Sequence, residues 1–584
     1  MKLCLRFSAL STRGYVLLIV MVMMAVSLLI VTGLSGYSSA NAKMNQRNND
    51  YYMTLGASEA ATEKILTAIT SDFRDFGDGY VVNRLDTYRK LTPKATESAE
   101  WGSFNFMNLS GVRDRVEIQY TSLPGFNPLG GAYGALRASK DRFRILSNAQ
   151  WQNSADGVVA AVYQDVELAR IPIFQYAVFY NVIMEYTPQP PMALTGPVHC
   201  NTNIYMNPAG TLAFNGPVTS AGNIITGPNP AGPFPNLGGS TTYSPPPVSG
   251  VSVLSLPIGT NSSPAAVQQV LMVPPAAENP LSSMGQQRYY NKADIIIFVS
   301  NATATAKSGY WNNFATTLSP NDVKTFVYTT NKFYNKREAK TIRVIDIDVA
   351  ALVQYNLTNT AVRPYLTLTD IRTLYVADFR TAVVGSESGV RVINGTNLPP
   401  QGLTIATAQP LYVQGDYNVT PFGRGTANTV GTMPASFAAD AITVLSTAWQ
   451  DTNAVNALSN KLSGRIAADT TVNAAFLCGI VNTTAASDSG GVENFPRYLE
   501  DWTGKTHTYN GSMVGMFYST VATGLWLGIG STYDIYNPPN RNWALDQNFS
   551  VSSKLPPATP ALTLLNRAAW RTPAAYSTNV MAGF

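Results

Sequence analysis

The sequence predicts a mainly β protein on a long N-terminal α-helix, its body built as a β-solenoid or β-helix, with a β-sandwich as the alternative. Three observations predict this. An uncharged apolar run, Tyr15–Thr32, is followed by a proline-free stretch over 37–76. Hydrophobic residues make up 45% and charged residues only 13%, while 44 glycines and 36 prolines punctuate the chain, a balance that suits short strands and many turns rather than disorder. Gly-Pro-Val recurs at 196 and 216, a spacing of twenty that fits stacked coils of one repeating unit. At 584 residues the chain exceeds what one hydrophobic core normally serves. A net charge of +5 spread along this length leaves no basic run of the kind nucleic-acid binders carry.

The first element is a basic leader, residues 1–14, with Lys2, Arg6 and Arg13 and no acidic residue. Residues 15–36 read as a transmembrane helix, since the uncharged run at 1.5 Å per residue reaches about 27 Å, close to a bilayer's hydrocarbon thickness. Positive charge before the span keeps the N-terminus cytoplasmic and sends everything after it across the inner membrane, as a single-pass protein with a periplasmic or extracellular body. Residues 37–76 continue as an amphipathic stalk helix, its face marked by Tyr52, Leu55, Leu66, Ile69, Phe73 and Phe76 with Glu59 and Thr62 between them. Three fates of the leader stay open: retention, cleavage after Ala42 in the small-residue site Ala40-Asn41-Ala42, and prepilin-type processing after Gly14 to leave Tyr15 first.

That last pattern, a short basic leader, Gly14, an aromatic Tyr15 and a long apolar helix, resembles the class III signal of type IV pilins. Arg13-Gly14 before the apolar run and LGASEAATEKIL at Leu55–Leu66 resemble the N-terminal module of PilX-type pilus assembly proteins, over roughly residues 10–75. The resemblance implies a part in type IV pilus or pseudopilus assembly, with other pilin-like subunits and inner-membrane lipid as partners of the helix. One departure bears on that role. Pilins usually carry Glu at the fifth mature position, where it pairs with a neighbour's N-terminus, and here that position is Ile19. A minor or accessory subunit tolerates the loss better than a main one.

Residues 77–190 read as a mixed α/β region. Val112–Tyr120 alternates as a half-buried strand does, and Arg170–Tyr186 reads as buried strands. Arg170, Pro172, Gln175, Asn181 and Glu185 are too costly in lipid for a second span there. Residues 191–430 form the solenoid-like region. Asn203-Ile204 and Asn223-Ile224 recur in register with Gly-Pro-Val, so stacked asparagines are expected to bond from coil to coil. A Pro/Gly/Ser-rich loop fills 226–265, Ala293–Ser300 and Lys340–Val353 read as strands, and Gly402–Val419 reads as a further coil. Residues 431–584 are a C-terminal mixed region with an extended tail. The wording of 165–560, including GPVH at 196–199 and GGVENFPRYLEDW at 490–502, resembles large bacterial envelope proteins with PilX-like N-termini, which bring no activity with them.

Candidate chemistry is thin. Only His199 and His507 could serve a triad, and no G-x-S-x-G elbow, H-E-x-x-H, C-x-x-C or P-loop occurs. His199 and Cys200 are adjacent, so on a strand they face opposite ways and share no metal. Asp346 and Asp348 lie on one strand face with Arg343 on the other, and Glu500-Asp501 precedes Trp502. Both carboxylate pairs read as structural rather than as a glycan-cleaving pair. Ser487–Gly491 is at most a weak calcium loop. GIGSTYD at 528–534 reads as turn chemistry. Cys200 and Cys478 are candidates for one disulfide, the alternative being two buried free thiols. The sequence therefore predicts no enzyme, no catalytic, cofactor or metal residues, and no nucleic-acid partner. The leading expectation is a membrane-anchored structural or assembly component of a pilus-like system. Behind it come a membrane-tethered surface or adhesive protein and, last, a β-helix enzyme acting on polysaccharide.

Overall fold

The computed structural model describes residues 15–154, 157–308, 316–359, 362–366, 370–458 and 460–581. The leader, with Cys4 and Gly14, lies outside them. A single helix, α1, runs from Tyr15 to Phe76. At 1.5 Å per residue its 62 residues extend about 93 Å.

The lower half of α1 packs on an antiparallel sheet. Its strands are β1 (Phe104–Met107), β2 (Glu117–Pro128), β3 (Arg137–Trp151) and β4 (Val159–Pro172). β3 pairs with β4 on one side and with both β1 and β2 on the other. The expected strand at Val112–Tyr120 starts later, at Glu117, because Asp114 takes a left-handed φ of 55° and turns the chain. The buried stripe of α1 also differs from the expected one. Ala57, Ser58, Ala61 and Thr62 lie flat on the sheet ahead of Ile65, Leu66, Ile69 and Phe73, whereas Tyr52 points to solvent. Small side chains let the helix axis approach the sheet, so the Ala-rich stretch is a packing surface. Ser58 fixes the approach by donating its hydroxyl to the Ser147 carbonyl (2.8 Å) and accepting the Val162 N–H (3.0 Å).

The fifth strand of this sheet comes from the other end of the chain. Ala561–Arg571 pairs antiparallel with β4, from Ala561 opposite Pro172 to Arg571 opposite Tyr163. Arg567 reaches α1 and binds both oxygens of Glu63 (2.8 and 3.0 Å). Everything from 173 to 560 is therefore an insertion between two neighbouring strands. The C-terminal segment is a structural strand here, in place of a docked extended tail.

The inserted body is built of short parallel ladders. Val178–Tyr180, Val198–Cys200 and Val218–Ser220 lie side by side in register, and Met184–Tyr186, Ile204–Met206 and Ile224–Thr226 do the same one corner later. The twenty-residue repeat thus begins at Val178, one coil before Gly-Pro-Val becomes visible, so the laddered region starts ahead of 191. It also runs past 430, through Ala475–Ile480, Thr506–Asn510 and Met513–Tyr518, to Asn540–Ala544. Parallel pairing throughout these ladders excludes the antiparallel sandwich alternative. Gly216 marks a tight crossing between repeats, where a Cβ would sit 2.4 Å from the Gly196 carbonyl oxygen. The 226–265 segment is partly ordered into the same ladders, with Ser240–Ser244 beside Thr211–Asn215 and Val248–Ser249 beside Thr219 and Ser220.

Chain order within the largest sheet explains how the ends meet. The path leaves β4, lays parallel strands outward from Val178 to Ser249, and crosses to the far end at Ile295–Val299. It then returns strand by strand until Met513–Tyr518 pairs with Val178–Tyr180. An antiparallel hairpin, Ile295–Val299 with Ala304–Ser308, closes the far edge. Lys340–Val353 is only half strand. The strand ends at Asp348, whose side chain accepts the Ala351 N–H (3.0 Å) and caps the helix Val349–Thr358.

Asparagines do bond between coils, through a wider set than the repeat suggested. Asn201 donates its amide to Asn181 Oδ1 (2.8 Å), and Asn203 Oδ1 accepts the Asn223 backbone N–H (2.9 Å). At another corner Asn510 donates to Asn473 Oδ1 (2.8 Å), while Asn473 donates to the Asn418 carbonyl (2.9 Å).

Candidate functional site

The residues singled out from sequence fall mostly into structural roles. Asp346 is fully buried and takes Arg391 Nε on one oxygen (2.7 Å) and Arg391 Nη2 and Asn331 Nδ2 on the other (3.1 and 2.5 Å). Arg391 also binds Asp451 (2.6 Å). Asp348, besides capping its helix, accepts from Asn394 (2.9 Å), and Arg343 donates to the Thr381 carbonyl (2.9 Å). The two aspartates therefore do not form a pair facing a cleft. Glu500 is buried and accepts the N–H and hydroxyl of Ser446, both at 2.6 Å, with burial pushing its carboxyl up to about 7. Trp502 is fully buried and Asp501 ties Thr503 and Asn537, so this group offers no sugar platform. In Ser487–Gly491, Asp488 lies against Glu185, and burial raises both carboxyls, Glu185 to about 7.

Both histidines sit in aromatic cores. His199 stacks on Phe179 and bonds Thr219 and Asn201; burial lowers its pKa to about 4. His507 bonds Tyr498 (2.8 Å), and burial, helped by the nearby Arg541 charge, lowers it to about 3.

The disulfide alternative is corrected. Cys200 and Cys478 are both buried and free. They occupy one row of the large sheet, Cys200 opposite Tyr180, Tyr180 opposite Gly515, and Gly515 opposite Cys478. Three strand spacings separate them by about 14 Å, roughly twice the Cα separation a disulfide spans. Burial raises both thiols, Cys200 to about 11 and Cys478 to about 12.

Two features remain available to partners. The first is the upper half of α1. Residues 15–40 are all exposed, and an eighteen-residue window there reaches a mean hydropathy of 2.8 with none of it buried. The helix is long and apolar enough to cross a membrane. Tyr15 opens it, 73% exposed, and Ile19 is 54% exposed.

The second is a cleft of about 490 Å³ on the side of the body, which the sequence reading missed. Its walls include Phe234, Trp526, Tyr533 and Tyr536, and its rim includes Pro188, Pro190 and Pro538. Trp526 donates Nε1–H to the Tyr536 hydroxyl (2.9 Å), which donates to Asn494 Oδ1 (2.5 Å), while Phe234 meets Trp526 edge-on. Glu493 and Arg541 are its charged groups. Glu493 Oε1 accepts both the N–H and hydroxyl of Thr187 (3.0 and 2.9 Å), and its Oε2 has no partner among the described residues. Burial raises the Glu493 carboxyl to about 7. Among the described residues no cluster of three or more His, Cys, Asp or Glu side chains is placed to hold a metal. Proline and aromatic density at 187–191 and 525–536 was the signal available in the sequence, but its two halves lie far apart along the chain.

No protein-family model matches the chain, and no curated protein does. Among solved structures, the competence-associated pilin ComZ from Thermus thermophilus aligns over 90% of this chain and 98% of its own, at 10% identity and a TM-score of 0.29. A likeness at that level carries no inference about activity.

Proposed function

We propose that this protein is an accessory structural subunit of a type IV pilus-like or pseudopilus-like envelope assembly. In this reading it is held in the inner membrane by α1 with its N-terminus cytoplasmic, and it is not an enzyme. The inserted body reads as a β-solenoid presented outside the membrane, and the N-terminal module as PilX-like. One observation carries the proposal. A single unbroken helix has an apolar upper half packed against nothing and a lower half seated on an antiparallel sheet through Ala57, Ala61, Ile65, Ile69 and Phe73. Such a helix can pass from lipid into a bundle of like helices without refolding, because Tyr15–Thr32 carries no charged side chain. Ile19 in place of a carboxylate favours an accessory place over a repeating one.

A second reading, a membrane-tethered surface protein outside any pilus, is favoured by the same absence of the carboxylate. The mature N-terminus separates the two. Mass spectrometry of the protein isolated from membranes should find Tyr15 first. A chain beginning at Met1 would favour the tether, and one beginning at Lys43 would have lost the anchor and would defeat both readings.

A further inference from the structure

The cleft between 187–190, Phe234 and 526–541 has the makings of a ligand site, independent of how the protein is anchored. Its volume falls in the range of small-ligand pockets, and its lining is mostly aromatic and aliphatic with a few convergent polar groups. It is also preformed. Prolines fix the rim, and the hydrogen-bond chain from Trp526 through Tyr536 to Asn494 holds the rings, so little ordering is left for a ligand to impose.

Its charge is unbalanced. Arg541 donates Nε–H to the Glu493 backbone carbonyl (3.0 Å) and lies 5.4 Å from the Trp543 ring centre, but makes no ion pair among the described residues. Its two outer guanidinium nitrogens keep their donors free, a fork suited to one carboxylate. The neighbouring Glu493 makes no ion pair with it among the described residues and accepts from Thr187 on Oε1. Burial raises that carboxyl to about 7, so it offsets the guanidinium less than an exposed glutamate would. Arg541 also lines an adjoining recess of about 480 Å³ with Pro191, Asn540 and Trp543, so the guanidinium stands midway along a longer track.

We infer that this track binds an acidic saccharide, with a uronic-acid carboxylate on Arg541 and sugar rings against Trp526 and Tyr533. A rigid ring presenting an apolar face and a carboxylate fits a preformed aromatic slot with one unpaired guanidinium. A flexible acidic peptide would bring its own ordering cost to walls that offer few backbone partners.

The test uses the detergent-solubilised full-length chain and isothermal titration calorimetry. The probes are an oligogalacturonide, the same oligomer with its carboxyls methyl-esterified, and an Asp/Glu-rich peptide. The free-acid oligomer should bind, and the ester at least about tenfold more weakly. Arg541→Gln should remove that difference, bringing the acid down to the level of the ester. Tyr533→Ala, at a position 42% exposed and therefore safe for folding, should weaken both oligomers. Three results would each overturn the inference: no heat with either oligomer, acid binding untouched by Arg541→Gln in a variant that melts like the parent, or binding of the peptide alone.

Discussion

The two β regions of this chain solve the same problem in opposite ways. In the sheet under α1, strands of up to 15 residues pair antiparallel and bury one face against the helix. The other face carries charge ladders: Lys140 and Arg142 on Glu167 (3.2 and 2.9 Å), and Arg144 on Asp165 (2.6 Å). In the inserted body many strands are shorter, Val178–Tyr180 and Leu403–Thr407 among them are buried on both faces, and specificity moves to the corners, where asparagines and glycines stack. The difference teaches that most neighbouring strands of the body follow one another in the chain and meet a distant partner where Met513–Tyr518 returns to Val178–Tyr180, while the sheet takes its edge strand from the far end of the chain. The stack is also ended deliberately. Pro245, Pro246 and Pro247 separate its last two short strands, and prolines deny a neighbouring chain the N–H donors of a free edge.

The sharpest way to break this comparison is to remove the returning strand. A chain ending at residue 560 should leave β4 with an open edge and α1 without Arg567. Limited proteolysis should then cut α1 and β4 while the body stays resistant. Single substitutions should divide along the same line. Phe73→Ala, fully buried under α1, should cost about 3–5 kcal/mol in the sheet alone. Asp346→Ala, which leaves the buried Arg391 to Asp451 alone, should cost about 3 kcal/mol in the body alone. Calorimetric melts of the two variants check this, since each should move a different transition; a single shared shift would show that the regions unfold as one. Smaller still, Asn473→Ala removes one rung of a corner ladder and should cost about 1–3 kcal/mol in the body's transition.

Acidity offers a finer probe of the body. Glu185, Glu493 and Glu500 are raised by burial to about 7, above their unfolded values, so the folded state holds protons that the unfolded state has already lost. Their contribution is undiminished below about pH 4.5 and turns unfavourable as pH rises toward 7. His199 and His507, lowered by burial to about 4 and about 3, act in the opposite sense and cost stability as pH falls below about 6.5. Three carboxyls outweigh two imidazoles between these limits. The body's melting temperature should therefore fall modestly from pH 5.5 to pH 7.5, and the fall should steepen when His199 and His507 are replaced together by Gln. The smallest expected effect is none at all: a reductant should leave both transitions unmoved, because Cys200 and Cys478 are free.

How much of this was legible in sequence follows from how local each signal is. The apolar run at Tyr15–Thr32 and the twenty-residue register of Val198 with Val218 are written in contiguous residues, and both are visible in the structure. The first coil, at Val178, was hidden because Tyr176-Ala177 stands where later coils have Gly-Pro. The pairing of Ala561–Arg571 with β4 was illegible, since nothing in an eleven-residue segment names a partner four hundred residues away. Asp346 reads in sequence as a strand residue, but its partner Arg391 lies 45 residues on and only the parallel register brings them opposite each other. The aromatic cleft went unseen for the same reason, its walls coming from three distant loops.

The proposed role requires α1 to be an anchor with the folded mass outside the cytoplasm. The most direct measurement is protease accessibility of the full-length chain in spheroplasts of a Gram-negative host. The account predicts that added protease digests the body in intact spheroplasts, leaving a short membrane-embedded fragment that contains Tyr15–Thr32. A body that stays protected until the spheroplasts are lysed would contradict it.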